Sequence, residues 1–169
     1  MPPGRTRPCL TADKVPQWDD ATTGRHQNEE APMRQVTVAA AFILDDGDRM
    51  LACRRCDGEQ AGFWELPGGK VEPGETPEQA CVREVREELS CDLESLWALE
   101  HVEHDYPDFH LSMDVFCARI AAGQEPVPSV HDELRWLTRD ELLEVNWLPA
   151  DVALMRNLQT WWGAIFEEH

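Results

Sequence analysis

The amino-acid sequence predicts an α+β fold, a sandwich of sheet and helices. Three observations carry this expectation. Short β-branched or aromatic apolar runs recur along the chain, bounded by Gly, Pro and Asp. One segment near the middle instead repeats its apolar residues every four positions, as a helix does. Strands and helices follow one another without the regular alternation that builds a parallel sheet. The chain has 169 residues, 42% of them hydrophobic and seven of them Trp. That is enough for one domain burying about 70% of its unfolded surface, with no need of a disulfide or metal staple.

The elements follow in order. Residues 1–32 hold Pro2, Pro3, Pro8, Pro16 and Pro32 and no sustained apolar period, and are expected to be a flexible N-terminal extension. The domain is expected to span residues 33–169. Arg34 to Leu44 is β-branched and alanine-rich and reads as a buried strand. Asp45-Asp46-Gly47-Asp48 is a turn, and Arg49 to Arg55 returns as the second arm of a hairpin. Phe63 to Leu66 is short and extended, Pro67-Gly68-Gly69 breaks the chain, and Pro73-Gly74 turns it. Thr76 to Leu89 is the strongest helix: Thr76 and Gln79 form a capping box, Pro77 takes the first helical position, and Cys81, Val85 and Leu89 form its buried stripe. Leu93 to His104 and Phe109 to Ile120 read as a long antiparallel pair. Glu133 to Leu137 is a short strand, and Thr138 with Glu141 caps a brief helix. Pro149-Ala150-Asp151 opens a final amphipathic helix with Val152, Met155, Leu158, Trp162 and Ile165 on one face.

Charge narrows the function. With 15 Lys+Arg against 33 Asp+Glu the formal net charge is −18, which argues against a nucleic-acid polymer, since phosphate backbones are held by clustered Lys and Arg. From Met33 onward 11 basic residues face 28 acidic ones, so the acidity belongs to the domain. The longest apolar run, Val36 to Leu44, is far short of the ~20 residues that span a bilayer. No charged-then-apolar leader opens the chain, so the expected location is cytoplasmic. Cys53 and Cys56 have CxxC spacing, but no second pair completes a zinc site. All six cysteines, these two with Cys9, Cys81, Cys91 and Cys117, are expected to be reduced thiols, several of them packed as small hydrophobes.

The predicted central helix places Glu84, Glu87 and Glu88 at i, i+3 and i+4, three carboxylates on one face. Like charges at that spacing each destabilise a helix by ~0.2–0.5 kcal/mol, and near its C-terminus the dipole disfavours anions as well. A solvated acidic face is the ordinary explanation. Here the opposite face is apolar and anchored, and the Gly68-Gly69 backbone lies one loop upstream. Hard oxygen ligands on a rigid support suit Mg²⁺ or Mn²⁺, which bind through a few carboxylates, waters and substrate phosphates.

Gly69, five residues, Glu75, seven residues, then Arg83-Glu84-Val85-Arg86-Glu87-Glu88-Leu89 resembles the Nudix box, matching all of its charged positions at the right spacing. The surrounding Glu65-Leu66-Pro67-Gly68-Gly69-Lys70 is similar to the MutT-type subgroup, and the resemblance runs from Met33 to about Trp162. It implies the Nudix fold, an α/β/α sandwich with a mixed sheet. It also implies Mg²⁺-dependent attack of water on a nucleoside triphosphate, giving a nucleoside monophosphate and pyrophosphate. The implied metal ligands are Glu84, Glu87, Glu88 and the Gly68 carbonyl, one carboxylate also helping to deprotonate water. Arg83 is expected to orient the carboxylates, Glu75 to fix the loop, and Arg55 and Lys70 to contact the triphosphate.

Three departures stand out. The terminal Gly of the box is Ser90 and its closing aliphatic is Cys91, which bears on how the helix ends. The subgroup's further metal-linked Glu, on the loop before the last strand, falls at Val130; Asp132, Glu133 and Glu125 are the nearby substitutes. At Asp151 the resembling enzymes read the base edge, often with Asn for 8-oxoguanine. An ionised Asp only accepts, which keeps a (d)CTP-type substrate in play; a plain helix N-cap is the other role for Asp151. Trp147 is expected to stack on the base or to form a wall of the core. The expectation is sanitation of nucleotide pools of 8-oxo-dGTP type. The alternatives are (d)CTP or 5-methyl-dCTP pyrophosphohydrolysis, or a silent nucleotide-binding module. A monomer or homodimer with a small nucleotide substrate is expected.

Overall fold

The computed structural model describes residues 33–167; the expected N-terminal extension lies outside the described residues. The first apolar run forms β1 (Arg34–Ile43), and its near-continuous hydrophobicity has a simple cause, because both faces are covered. Ala39, Ala41 and Ile43 join a core cluster with Cys81, Val85 and Leu89 of helix α1 (Pro77–Leu89). Ala40, Phe42 and Leu44 join a second cluster with Leu154, Met155, Leu158 and Trp162 of helix α2 (Pro149–Trp162). The side-chain alternation of one strand thus puts the two helices on opposite faces, which is the sandwich the sequence predicts.

The remaining strands are β2 (Met50–Arg55), β3 (Trp64–Glu65), β4 (Gly68–Lys70), β5 (Leu93–Asp105), β6 (Phe109–Ile120) and β7 (His131–Leu137). One sheet has the order β4-β1-β6-β5 and the other β3-β2-β7. β1 runs parallel to β6 and antiparallel to β4, so the larger sheet is mixed. A single turn of 3₁₀ helix, Arg139–Glu141, follows β7, and a π-helical turn, Gly163–Glu167, follows α2. Among the described residues no helix is long and apolar enough to cross a membrane.

Two sequence expectations need correction. The Asp45–Asp48 turn forms, with the Asp45 carboxylate accepting from the Gly47 and Arg49 amides, but β1 and β2 share only the Leu44–Met50 bridge. They part because both edges of β1 are taken by β4 and β6, and β2 pairs with β3 and β7. Gly68-Gly69 is not a break but strand β4, Gly68 lying opposite Ala40 and Gly69 opposite Ala39. A Cβ on Gly68 would stand 2.2 Å from the Ala39 carbonyl oxygen, so glycine is what lets these backbones approach.

α1 begins with the predicted box: the Thr76 hydroxyl accepts from the Gln79 amide and the Gln79 side chain accepts from the Thr76 amide. It ends at Ser90, which adopts the left-handed conformation at φ 55° and ψ 34°, at a cost of ~1–2 kcal/mol for a non-glycine residue. The helix therefore stops where a glycine would have stopped it. Its last carbonyls accept from the following loop: Leu89 from the Val127 amide, and Glu88 from the Ser129 amide and hydroxyl. Cys53, Cys81, Cys91 and Cys117 are buried, and burial pushes the thiols of Cys81 and Cys117 up to about 12. Cys9 lies outside the described residues, and the Cys56 Sγ lies 3.1 Å from the Val130 carbonyl oxygen.

Candidate active site

The three α1 carboxylates sit at three depths. The Glu87 side chain is 58% exposed, Glu84 15% and Glu88 4%. A shared face at i, i+3 and i+4 therefore grades from solvent to core. Arg83 ties the upper part together. Its Nε and NH2 donate to the two Glu75 oxygens at 2.7 and 2.9 Å, a bidentate pairing. NH1 donates to Glu84 at 2.8 Å and reaches Glu87 at 3.4 Å, and NH2 also donates to the Lys70 carbonyl at 3.0 Å. The Arg83 guanidinium, with the Glu72 amide, holds the Glu75 carboxyl down at about 2. Arg83 so clamps the Glu75 loop, the end of β4 and two helix carboxylates.

Gly69 completes this corner. A Cβ there would lie 2.4 Å from the carboxyl carbon of Glu84, so the carboxylate rests in the space any side chain would fill. That cradle and the hard-oxygen donor set of Glu84, Glu87, Glu88 and the Gly68 carbonyl fit a Mg²⁺-like cation. Among the described residues no three His, Cys, Asp or Glu side chains stand close enough together to hold an ion between them; Mg²⁺ typically takes only one or two carboxylates besides waters and substrate phosphates.

Beside it opens a cleft. Arg55, Glu65, Gly68, Tyr106, Phe109 and Asp151 are among its walls. The rings of Tyr106 and Phe109 stack at 4.8 Å. The Tyr106 hydroxyl accepts from the Ala150 amide at 3.3 Å, holding the start of α2 against the cleft. Burial, with the charges of Asp151 and Glu65 beside it, raises the Tyr106 phenol above its ordinary value.

The expected site residues do not all converge. Asp151 is buried at the cleft and is not the N-cap, which is Leu148. Arg55 lies in the cleft, its NH1 donating to Glu65 at 3.2 Å. Lys70 lies on β4 opposite Val38 and is not among the described residues lining the cleft. Trp147 is 4% exposed in the core, its indole N–H donating to the Leu142 carbonyl at 2.6 Å. The structure therefore gives Trp147 the core-wall role and not base stacking, because the ring is spent on packing.

Two residues escaped the sequence reading. Glu65 and His131 are buried, 7% and 5% exposed, and His131 Nε2 lies 2.9 Å from Glu65 Oε1. His131 Nδ1 faces Glu88 Oε2 at 3.9 Å. The available signal was position: Glu65 precedes Leu66-Pro67-Gly68-Gly69, and His131 follows Val130. The other nearby acids are elsewhere. Asp132 and Glu133 pair with Arg54 at 2.8 and 2.7 Å, and Glu125 is exposed.

Known proteins resemble this chain over most of its described length. The NUDIX domain model matches residues 33–165. The chain is 36% identical over 131 residues to the CTP pyrophosphohydrolase of Escherichia coli K12, covering 73% of this chain and 90% of that protein. It is 40% identical over 84 residues to the 8-oxo-dGTP diphosphatase of Proteus vulgaris, covering 49% and 75%. The solution structure of the Escherichia coli ORF135 protein superposes with a TM-score of 0.69 at 29% identity, over 80% of this chain and 96% of that one.

Proposed function

The chain belongs to the NUDIX domain family as a MutT-type hydrolase, and we propose that it hydrolyses modified or oxidised nucleoside triphosphates, 8-oxo-dGTP first among them, to the monophosphate and pyrophosphate. The observation that carries this reading is the meeting of two parts. The Arg83-clamped carboxylates of α1 and the Gly69 cradle stand beside a cleft walled by Tyr106, Phe109 and Asp151.

In this account Glu84, Glu87, Glu88 and the Gly68 carbonyl would hold Mg²⁺, or Mn²⁺ in its place. Bound there, the ion would neutralise triphosphate charge and acidify the attacking water. One of the three carboxylates takes the proton of that water as its oxygen bonds to phosphorus and the bridging P–O bond to pyrophosphate breaks. Arg55 contacts the phosphates from the cleft wall. The stacked Tyr106–Phe109 pair supplies the aromatic wall for the base, in place of Trp147.

Asp151 supports a second reading. A buried carboxylate at the cleft is an acceptor, and cytosine offers an N4 amino donor. The CTP pyrophosphohydrolase relative, matched over 90% of its length, points the same way. Steady-state kcat/KM with Mg²⁺ over 8-oxo-dGTP, dGTP, dCTP and 5-methyl-dCTP separates the two. The main reading expects 8-oxo-dGTP to exceed dCTP by at least tenfold; the reverse order would establish the cytosine reading, and no turnover of any of them would sink both.

A further inference from the structure

The loop before β7 carries Val130 where the resembling enzymes carry a metal-linked Glu, yet this loop is pinned to α1. The Ser129 hydroxyl donates to the Glu87 and Glu88 carbonyls at 2.9 and 3.1 Å, and its amide donates to the Glu88 carbonyl at 2.9 Å. The pin sits two residues before His131. It brings a buried imidazole, whose side chain is 1% exposed, to Glu88, whose side chain is 4% exposed.

We infer that His131 is the positioning residue for Glu88, fixed from behind by Glu65, and that this buried pair does in this chain what a loop glutamate does not. His131 Nε2 meets Glu65 Oε1 at 2.9 Å, while the other ring nitrogen faces the Glu88 carboxylate at 3.9 Å. A carboxylate on one nitrogen fixes the orientation of the ring, and the ring so fixed packs against the Glu88 carboxylate at 3.9 Å, a contact longer than a hydrogen bond. Glu65 is held in turn: its Oε2 accepts from Arg55 NH1 at 3.2 Å, and Arg55 lines the cleft. Arg55, Glu65, His131 and Glu88 therefore form one buried chain, from the wall where phosphates are proposed to bind to the deepest of the three carboxylates. Removing the imidazole empties the space beside Glu88, and a ligand displaced by ~1 Å loses much of its value.

The inference rests on Glu88 as a metal ligand, so its test keeps the two apart. Mn²⁺ alone is titrated into the full chain without nucleotide, free Mn²⁺ being read by its paramagnetic resonance signal. The variants are Glu88→Gln, His131→Ala, His131→Asn and Glu65→Gln. Supporting parts of a metal site are worth ~10–100-fold in metal affinity. The expected result is that Glu88→Gln abolishes tight Mn²⁺ binding, His131→Ala weakens it at least tenfold, and His131→Asn recovers part of the loss. In turnover at saturating metal, His131→Ala should lower kcat with nucleotide KM changed less than threefold. Glu65→Gln, nearly isosteric, should weaken Mn²⁺ several-fold even if His131→Ala fails to fold. Wild-type Mn²⁺ affinity in the His131 and Glu65 variants, with Glu88→Gln still defective, overturns the positioning role alone. Unchanged binding and turnover in Glu88→Gln overturns the metal reading and the inference together.

Discussion

The carboxylate of Glu84 occupies the space where a side chain at position 69 would begin, 2.4 Å from the Cβ that Gly69 lacks. This one contact joins the edge strand β4 to the helix α1, and it explains why glycine and glutamate are needed fifteen positions apart. Gly69→Ala should lower turnover at least tenfold and destabilise the fold by ~1–3 kcal/mol through overpacking. Initial rates and thermal denaturation measure the two effects; an alanine variant with wild-type rate and stability would show that Glu84 is not held there.

Arg83 is the clamp for the same corner, and its hold depends on the planar fork. Arg83→Lys keeps the charge and loses the bidentate grip on Glu75. Turnover should fall ~10–100-fold, with a raised requirement for Mg²⁺. The check is rate against Mg²⁺ concentration; a lysine variant saturating at the wild-type concentration and rate would assign Arg83 to stability alone.

Asp151 is buried at the cleft and is not the N-cap of α2; base recognition is its proposed task. Asp151→Asn adds a donor and should raise the 8-oxo-dGTP to dCTP ratio of kcat/KM at least fivefold. Competition between the two nucleotides measures that ratio directly, and an unaltered ratio contradicts the assignment.

Away from the site, Glu103 on β5 bridges two histidines: His101, 2.7 Å away and also 2.7 Å from Asp114, and His110, which pairs with Asp105 as well. Their carboxylate partners, Glu103 first for His101 and Asp105 first for His110, raise both imidazoles above the ordinary 6.5. The histidines, His101 first, hold Glu103 down from 4.5 to about 2. The histidine contribution is thus complete below about pH 6.5 and lost as pH rises through the raised values. The Glu103 contribution is complete above about pH 4.5 and lost as pH falls toward 2. All three side chains are solvent-accessible, so the effect is modest. The melting-temperature advantage of the wild type over a His101→Gln, His110→Gln double variant should be larger at pH 6 than at pH 9; a gap independent of pH would refute the linkage.

What the sequence made legible was local and periodic. α1 announced itself through Thr76, Pro77, Gln79 and the Cys81, Val85, Leu89 stripe, because capping and helical spacing are written within a few residues. The carboxylates at 84, 87 and 88 were legible for the same reason. Gly68-Gly69 misled because glycine marks breaks and close strand approach alike, and only the partner strand, Ala39-Ala40, decides between them. The 45–48 turn was visible, but the departure of β2 into another sheet depends on β6, more than fifty residues later. Trp147 has the size for a base platform or a core wall, and packing against Leu142 settled it. Glu65 and His131 had only their places beside Leu66-Pro67-Gly68-Gly69 and Val130 to mark them, because they meet across 66 residues of chain.

The central claim is that the α1 carboxylates serve hydrolysis of a nucleoside triphosphate to its monophosphate and pyrophosphate. Product analysis by anion-exchange chromatography, with Mg²⁺ and 8-oxo-dGTP or dCTP, compares the wild type with Glu88→Gln. The account predicts equimolar monophosphate and pyrophosphate from the wild type and at least a hundredfold slower release from the variant. Orthophosphate with a diphosphate as the product, or equal rates from the two proteins, would contradict it.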